Sequence, residues 1–324
     1  MTVRSDNIHH LVPQFILDQL AQERDRGGFT AVGLFVDISG FTRLMETLMQ
    51  HGQHGAEVMA SVMLDIFEPL VQFVFEQGGF VSNFAGDAFT AFFPIHTAAE
   101  TAARAQQAIT AAWQAQDHLR TNPTSRTLYG DFQMTAKIGL ALGEAGWGIL
   151  THVEQERAAF YFHGTAVEQC ALAEKQAAPG EIILDAALAA TVGDWVELSP
   201  KNGFFALNGR PQTFSPARPF TPPKPNLSLL GRFFPPELIN QPLQGEFRQI
   251  VNVFISLPGT QNEVELGPFM QTVFQLQAQF GGVTSRLDFG DKGCTLLLFW
   301  GAPIAHETDI ERALSFLLAL RQQS

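Results

Sequence analysis

The stretch Ala31-Val-Gly-Leu-Phe-Val-Asp-Ile-Ser-Gly-Phe-Thr42 is an apolar run that ends on Asp37 and turns through Ser39-Gly40 into GFTRLMETL (40–48). A short apolar run bounded by a turn reads as a buried strand. The apolar residues of GFTRLMETL and of EVMASVMLDIFEPLVQFVFEQ (57–77) recur on a 3.6 period and read as helix. Next comes GGFVSNFAGDAFTAFFP (78–94), two strand-like runs around Gly86-Asp87, the residue pair of a two-residue hairpin turn. An alanine-rich helix near 97–119, the strands MTAKIGLAL (134–142) and AAFYFHG (158–164), a helix over 165–176 and the strand EIIL (181–184) follow. This order predicts an α+β unit of ferredoxin-like βαββαβ type, an antiparallel or mixed sheet with helices on one face.

The same pattern returns. RQIVNVFISLPG (248–259) repeats the first strand, PFMQTVFQLQAQFGG (268–282) repeats the helix that ends in Gly-Gly, and VTSRLDFGDKGCTLLLFWG (283–301) repeats the hairpin. The Gly-Gly pairs at 78–79 and 281–282 are offset by 203, which places Ser285 on Ser82 and Arg286 on Asn83. Gly290-Asp291 then meets Gly86-Asp87 after one inserted residue. TDIERALSFLLALRQQ (308–323) matches the helix that opens near Thr97, and the second copy stops about half way. Nine of the 18 prolines fall between Pro211 and Pro242, where no hydrophobic period survives. The expected organisation is a helical lead-in (1–29), a complete unit (30–207), a Pro-rich linker (208–247) and a truncated second unit (248–324) that forms a pseudo-dimer with the first.

With 20 Lys and Arg against 32 Asp and Glu, the formal charge is −12. No basic run exists to neutralise a phosphate backbone, so a nucleic-acid partner is excluded, and a phosphorylated ligand must be met by metal ions or backbone amides. The apolar runs stop short of the ~18–20 residues of a membrane span, and the N-terminus is polar, so a cytoplasmic protein is expected. Cys170 and Cys294 have no metal-like spacing and read as reduced core thiols.

Asp37 alone is an ordinary turn or N-cap aspartate, and Asp87 alone is ordinary hairpin chemistry. Together they mean more. In a sheet of this order the first strand lies beside the hairpin, so both carboxylates can converge at one sheet edge next to a helix N-terminus. Two carboxylates held close repel unless a divalent cation compensates them. Oxygen ligands beside amides that can hold phosphate suit Mg²⁺.

On Phe35-Val-Asp-Ile-Ser-Gly-Phe-Thr42 with Asn83-Phe-Ala-Gly-Asp87, the first unit resembles the catalytic domain of class III nucleotide cyclases. The tandem copy after a linker resembles the soluble, bicarbonate-responsive adenylyl cyclase subgroup. The resemblance covers 30–207 well and 248–323 as a diverged half. It implies conversion of ATP to cyclic AMP and pyrophosphate by two Mg²⁺ (or Mn²⁺) ions, held by Asp37, Asp87 and the Ile38 carbonyl. The amides of Gly40, Phe41 and Thr42 would hold the triphosphate, and an intramolecular second cyclase-like domain would complete the site.

Departures from the family pattern are as informative. In Gly164-Thr-Ala-Val-Glu-Gln-Cys-Ala-Leu172, Glu168 and Leu172 stand where the family's transition-state Asn and Arg would be. The adenine-reading lysine falls on Asn83 in the first copy and on Arg286 in the second, and the first metal position falls on Ser256. The resemblance therefore implies that the first copy brings the metals, Arg286 faces the base, and further C-terminal chain brings Asn and Arg. The family's bicarbonate-holding lysine and arginine fall on Asn83 and Ala171, so a weak bicarbonate response is expected. A catalytically silent regulatory module and a guanylate cyclase are the alternatives. A diguanylate cyclase is disfavoured because Ala85-Gly-Asp-Ala88 lacks a Gly-Gly-Asp-Glu-Phe signature. His9, His10, His51, His54 and His96 lack ligand spacing and read as surface or capping residues, and Lys292 reads as a solvated hairpin lysine.

Overall fold

The computed structural model describes residues 11–323 apart from 153, 155, 213–215, 218, 222, 224–225, 240–247, 258–262 and 291–292. Helix α1 (Gln14–Ala21) leads into the long strand β1 (Arg26–Ser39). Helices α2 (Phe41–Met49) and α3 (Gly52–Glu76) follow, then the hairpin β2 (Phe80–Ala85) and β3 (Ala88–Ile95) and helix α4 (Thr101–Thr121). A small hairpin, β4 (Thr124–Thr127) and β5 (Gly130–Gln133), precedes β6 (Thr135–His152), β7 (Arg157–His163), α5 (Thr165–Gln176) and β8 (Ile182–Leu184). Helix α6 (Ala186–Val192) and the strands β9 (Glu197–Lys201) and β10 (Phe204–Asn208) close the first unit.

The main sheet runs in the order β2-β3-β1-β6-β8-β10-β9, with β7 paired to β6. Its core, β2-β3-β1-β6, is antiparallel throughout, and only β8 joins β6 in parallel. The two turn residues Gly86 and Asp87 separate β2 from β3 as the sequence predicts.

Strand alternation sorts β1 into two faces. Val32, Leu34, Val36 and Ile38 share one core with Val62, Ile66, Leu70 and Val74 of α3 and Ala105, Ala108 and Ile109 of α4. Each buried Val, Leu or Ile side chain among these contributes roughly 1.5–3 kcal/mol relative to exposure. The opposite face carries Ala31, Gly33 and Asp37, and α5 packs there. A Cβ on Gly33 would lie 2.4 Å from the Ala166 carbonyl oxygen, and one on Gly139 of β6 would lie 2.0 Å from that of Cys170. Helices therefore cover both faces of the sheet, where the sequence predicts one. Small residues on β1 and β6 let α5 approach a face that larger side chains would close.

Helix α3 is 25 residues long and apolar enough by length and composition to cross a membrane, which the run-length argument from sequence misses. Among the described residues it is alone in this. Its buried residues pack on α4 and the sheet.

Two short helices, α7 (Leu227–Leu230) and α8 (Pro236–Ile239), lie between the units. The second unit consists of β11 (Val251–Leu257), α9 (Glu263–Phe280), the hairpin β12 (Val283–Gly290) and β13 (Gly293–Trp300), and α10 (Asp309–Gln323). Its sheet order, β11-β13-β12, repeats β1-β3-β2. The register breaks between Val81 and Asn83 in one hairpin and between Thr284 and Arg286 in the other. Ser82 and Ser285 thus occupy the same β-bulge, which re-aims the residue that follows it.

Ser256 pairs with Thr295 as Asp37 pairs with Ala88. The turns do not align as the sequence suggests. Asp288 stands opposite Thr295 where the first unit has Ala85 opposite Ala88, and the second hairpin continues for two more pairs. Asp291 and Lys292 lie outside the described residues.

Candidate active site

The antiparallel ladder between β1 and β3 ends at Asp37 opposite Ala88, and the Ile38 amide then donates to the Asp87 carbonyl oxygen at 2.9 Å. This bond ties the hairpin turn to the end of β1 and brings the two aspartates together. Burial, and then the Asp87 carboxylate, push the Asp37 carboxyl above its ordinary range, with Lys137 partly offsetting both. Gly40 follows with φ +100°, a left-handed backbone that side chains resist, and a Cβ there would lie 2.2 Å from the Gln133 carbonyl oxygen. No side chain caps α2 at Gly40, so the first-turn amides of Phe41 and Thr42 are left for another acceptor.

Two residues with no spacing signature in the sequence complete this end of the sheet. Lys137 lies directly opposite Asp37 in the β1–β6 ladder, 3.5 Å from its carboxylate and 3.2 Å from that of Glu174 on α5. Burial opposes the Lys137 charge, but the Glu174 and Asp37 carboxylates outweigh it and raise its pKa. Burial likewise raises Glu174, against the pull of Lys137.

A carboxyl raised on folding binds protons that the unfolded chain has already released. Between the ordinary aspartate pKa of 3.8 and the raised folded value, Asp37 therefore makes stability fall as pH increases. Asp37→Asn is expected to raise the melting temperature of the metal-free chain at pH 7 and to leave it unchanged below pH 3.5. A lower melting temperature at pH 7 contradicts this sign.

Arg286 is brought to a different part of the same sheet face. A cavity of about 510 Å³ opens where the hairpins of the two units meet. Asn83, Phe35 and Ala85 line it from the first sheet, Glu168 and Leu172 from α5, and Arg286 from β12. Asn83 donates to the Asp288 carboxylate at 2.5 Å. Arg286 lies 2.7 Å from the other Asp288 oxygen and donates to the Phe84 carbonyl oxygen at 3.2 Å. Burial raises Asp288, and Arg286 and Asn83 oppose it. Asp37 and Asp87 do not line this cavity. Phe35 does, two residues before Asp37 on the same face, so cavity and carboxylates adjoin at about 7 Å of strand.

Among the described residues no group of three or more His, Cys, Asp or Glu side chains forms a metal centre. The histidines follow the surface reading: His51 stacks on Tyr129 with ring centroids 3.8 Å apart, and His54 Nδ1 lies 2.8 Å from the Tyr129 hydroxyl. His9 and His10 lie outside the described residues. Both cysteines are free and buried, and burial pushes each thiol up to about 12.

No protein-family model matches this chain. Adenylate cyclase type 10 of Homo sapiens is 24% identical over 320 residues, covering 85% of this chain, and that of Rattus norvegicus is 27% identical over 158 residues, covering 48%. The chain spans 19% of the human relative's length and 9% of the rat relative's. The crystal structure of the adenylyl cyclase CyaB from P. aeruginosa superposes with a TM-score of 0.48 at 16% identity, over 59% of this chain and 100% of that one. The first unit has the α+β architecture that the resemblance to class III nucleotide cyclases implies, and the sequence through both units is similar to that of adenylate cyclase type 10 of Homo sapiens.

Proposed function

We propose that this chain is the metal-bearing part of a cytoplasmic nucleotide cyclase that converts ATP to 3′,5′-cyclic AMP and pyrophosphate. The observation that carries this reading is the convergence of Asp37 and Asp87, fixed by the Ile38 to Asp87 backbone bond beside an uncapped helix start. The donor set fits hard divalent cations. Two mutually repelling carboxylates supply oxygen, and Lys137 is the one cation paired with either of them among the described residues.

Asp37, Asp87 and the Ile38 carbonyl would hold two Mg²⁺ or Mn²⁺ ions. Such ions acidify a ribose 3′-hydroxyl and offset charge on a leaving pyrophosphate. The amides of Gly40, Phe41 and Thr42 orient the triphosphate at the start of α2. The adjoining cavity takes the base, where Arg286 can donate to adenine N1 or guanine O6. Glu168 and Leu172 offer no cationic or amide group to a developing charge. That role is assigned to neither residue of the first unit.

Arg286→Ala is expected to raise KM for nucleotide about tenfold and to blur the ATP/GTP preference, with metal affinity retained. Asn83→Ala should leave KM and preference almost unchanged. The check is steady-state turnover of ATP and GTP, each with Mg²⁺ or Mn²⁺. If the two substitutions have the reverse effects, the base position is misassigned.

A further inference from the structure

We infer that Glu174 is a positioning residue that holds the Lys137 ammonium off Asp37 and so keeps the carboxylate pair open to a divalent cation. The inference rests on the metal-site reading above. Lys137 and Asp37 are direct cross-strand partners, and opposite charges so placed attract. With nothing else in reach, the ammonium would settle on Asp37 and an incoming cation would have to break that pair. Instead it stands closer to Glu174, at 3.2 Å, than to Asp37, at 3.5 Å.

Glu174 is buried, and its backbone is fixed against the strand that carries Lys137. A Cβ on Gly139, two residues along β6, would lie 2.4 Å from the Glu174 amide nitrogen. Held there, its carboxylate competes for Lys137 from the helix side without reaching the metal position.

The test is Mn²⁺ titration of the 324-residue chain, reading free Mn²⁺ by electron paramagnetic resonance, with circular dichroism to check folding. Glu174→Gln should weaken Mn²⁺ binding about tenfold and Lys137→Met should tighten it a few-fold. In the Lys137→Met background Glu174→Gln should cost about twofold or less, because the two residues act through one contact. A full tenfold loss in that background would mean that Glu174 acts only as a distant charge, and overturns the inference. Unchanged binding in Glu174→Gln, or weaker binding in Lys137→Met, overturns it too. Asp37→Asn separates the two readings. If it binds Mn²⁺ as well as the unmodified chain does, the metal site itself is wrong, whereas its loss with an unaltered Glu174→Gln discards the positioning role alone.

Discussion

On the proposed reading, Asp37→Asn or Asp87→Asn is expected to lower nucleotide turnover by about 10²-fold or more, the loss expected when a preorganised electrostatic group leaves a reacting centre. Each substitution keeps size and shape while removing one of the two charges that the fold brings together at the end of β1. The backbone bond from Ile38 to Asp87 survives both, so the site geometry stays while its affinity for divalent ions falls. A factor of 10² corresponds to about 2.7 kcal/mol of transition-state stabilisation. Initial rates at saturating Mg-nucleotide check this. A near-normal rate in either variant removes that residue from the metal centre.

Gly139→Val is expected to destabilise the first unit by about 3 kcal/mol or more, and to lower its melting temperature by roughly 6–12 °C. The added carbon would meet the Cys170 carbonyl oxygen at 2.0 Å and the Glu174 amide nitrogen at 2.4 Å. Both are backbone atoms of α5, so no rotamer change relieves the contact. The helix must lift from the sheet, which also carries Glu174 away from Lys137. Gly267→Ala in α9 is the control. A Cβ there meets nothing within 4 Å, and alanine favours helix by about 1 kcal/mol, so this variant should be neutral or slightly more stable. Denaturant unfolding of both variants decides it, and a Gly139→Val protein as stable as the parent would show that α5 does not sit on a glycine seam.

The sequence made some of this site legible and hid the rest for physical reasons. An apolar run ending on Asp37 and a Gly-Asp turn fifty residues later are local signals, and the strand order that brings them together follows from the alternation of elements. The internal repeat was legible through the Gly-Gly pairs, and the equivalence of Ser82 and Ser285 corresponds to a shared β-bulge. The small hairpin β4–β5 is not legible in the sequence because its turn residues, Leu128 and Tyr129, are not turn formers. Strands β1 and β6 run longer than their apolar runs. RGGFT (26–30) and GEAGWG (143–148) lack β-branched density but are extended against each other.

The place of α5 was not legible because TAVEQCALAEKQ (165–176) is too poor in large apolar residues to declare a face. Its packing is decided by glycines on other strands. Lys137 and Glu174 carry no spacing signature, being 37 residues apart on a strand and a helix. The second hairpin shows the limit of reading by offset. The 203-residue spacing places Arg286 on Asn83, but the ladder then runs two pairs past Asp288, which stands at the position of Ala85 and pairs with both.

The most direct measurement of the central claim is the product formed from ATP by the first unit when it is partnered by a full-length cyclase-like unit, resolved by chromatography with pyrophosphate quantified alongside. With Mg²⁺ or Mn²⁺ present, 3′,5′-cyclic AMP and pyrophosphate should appear in equal amounts and vanish together in Asp37→Asn. Formation of ADP and phosphate, or of no cyclic nucleotide from either ATP or GTP, would contradict it.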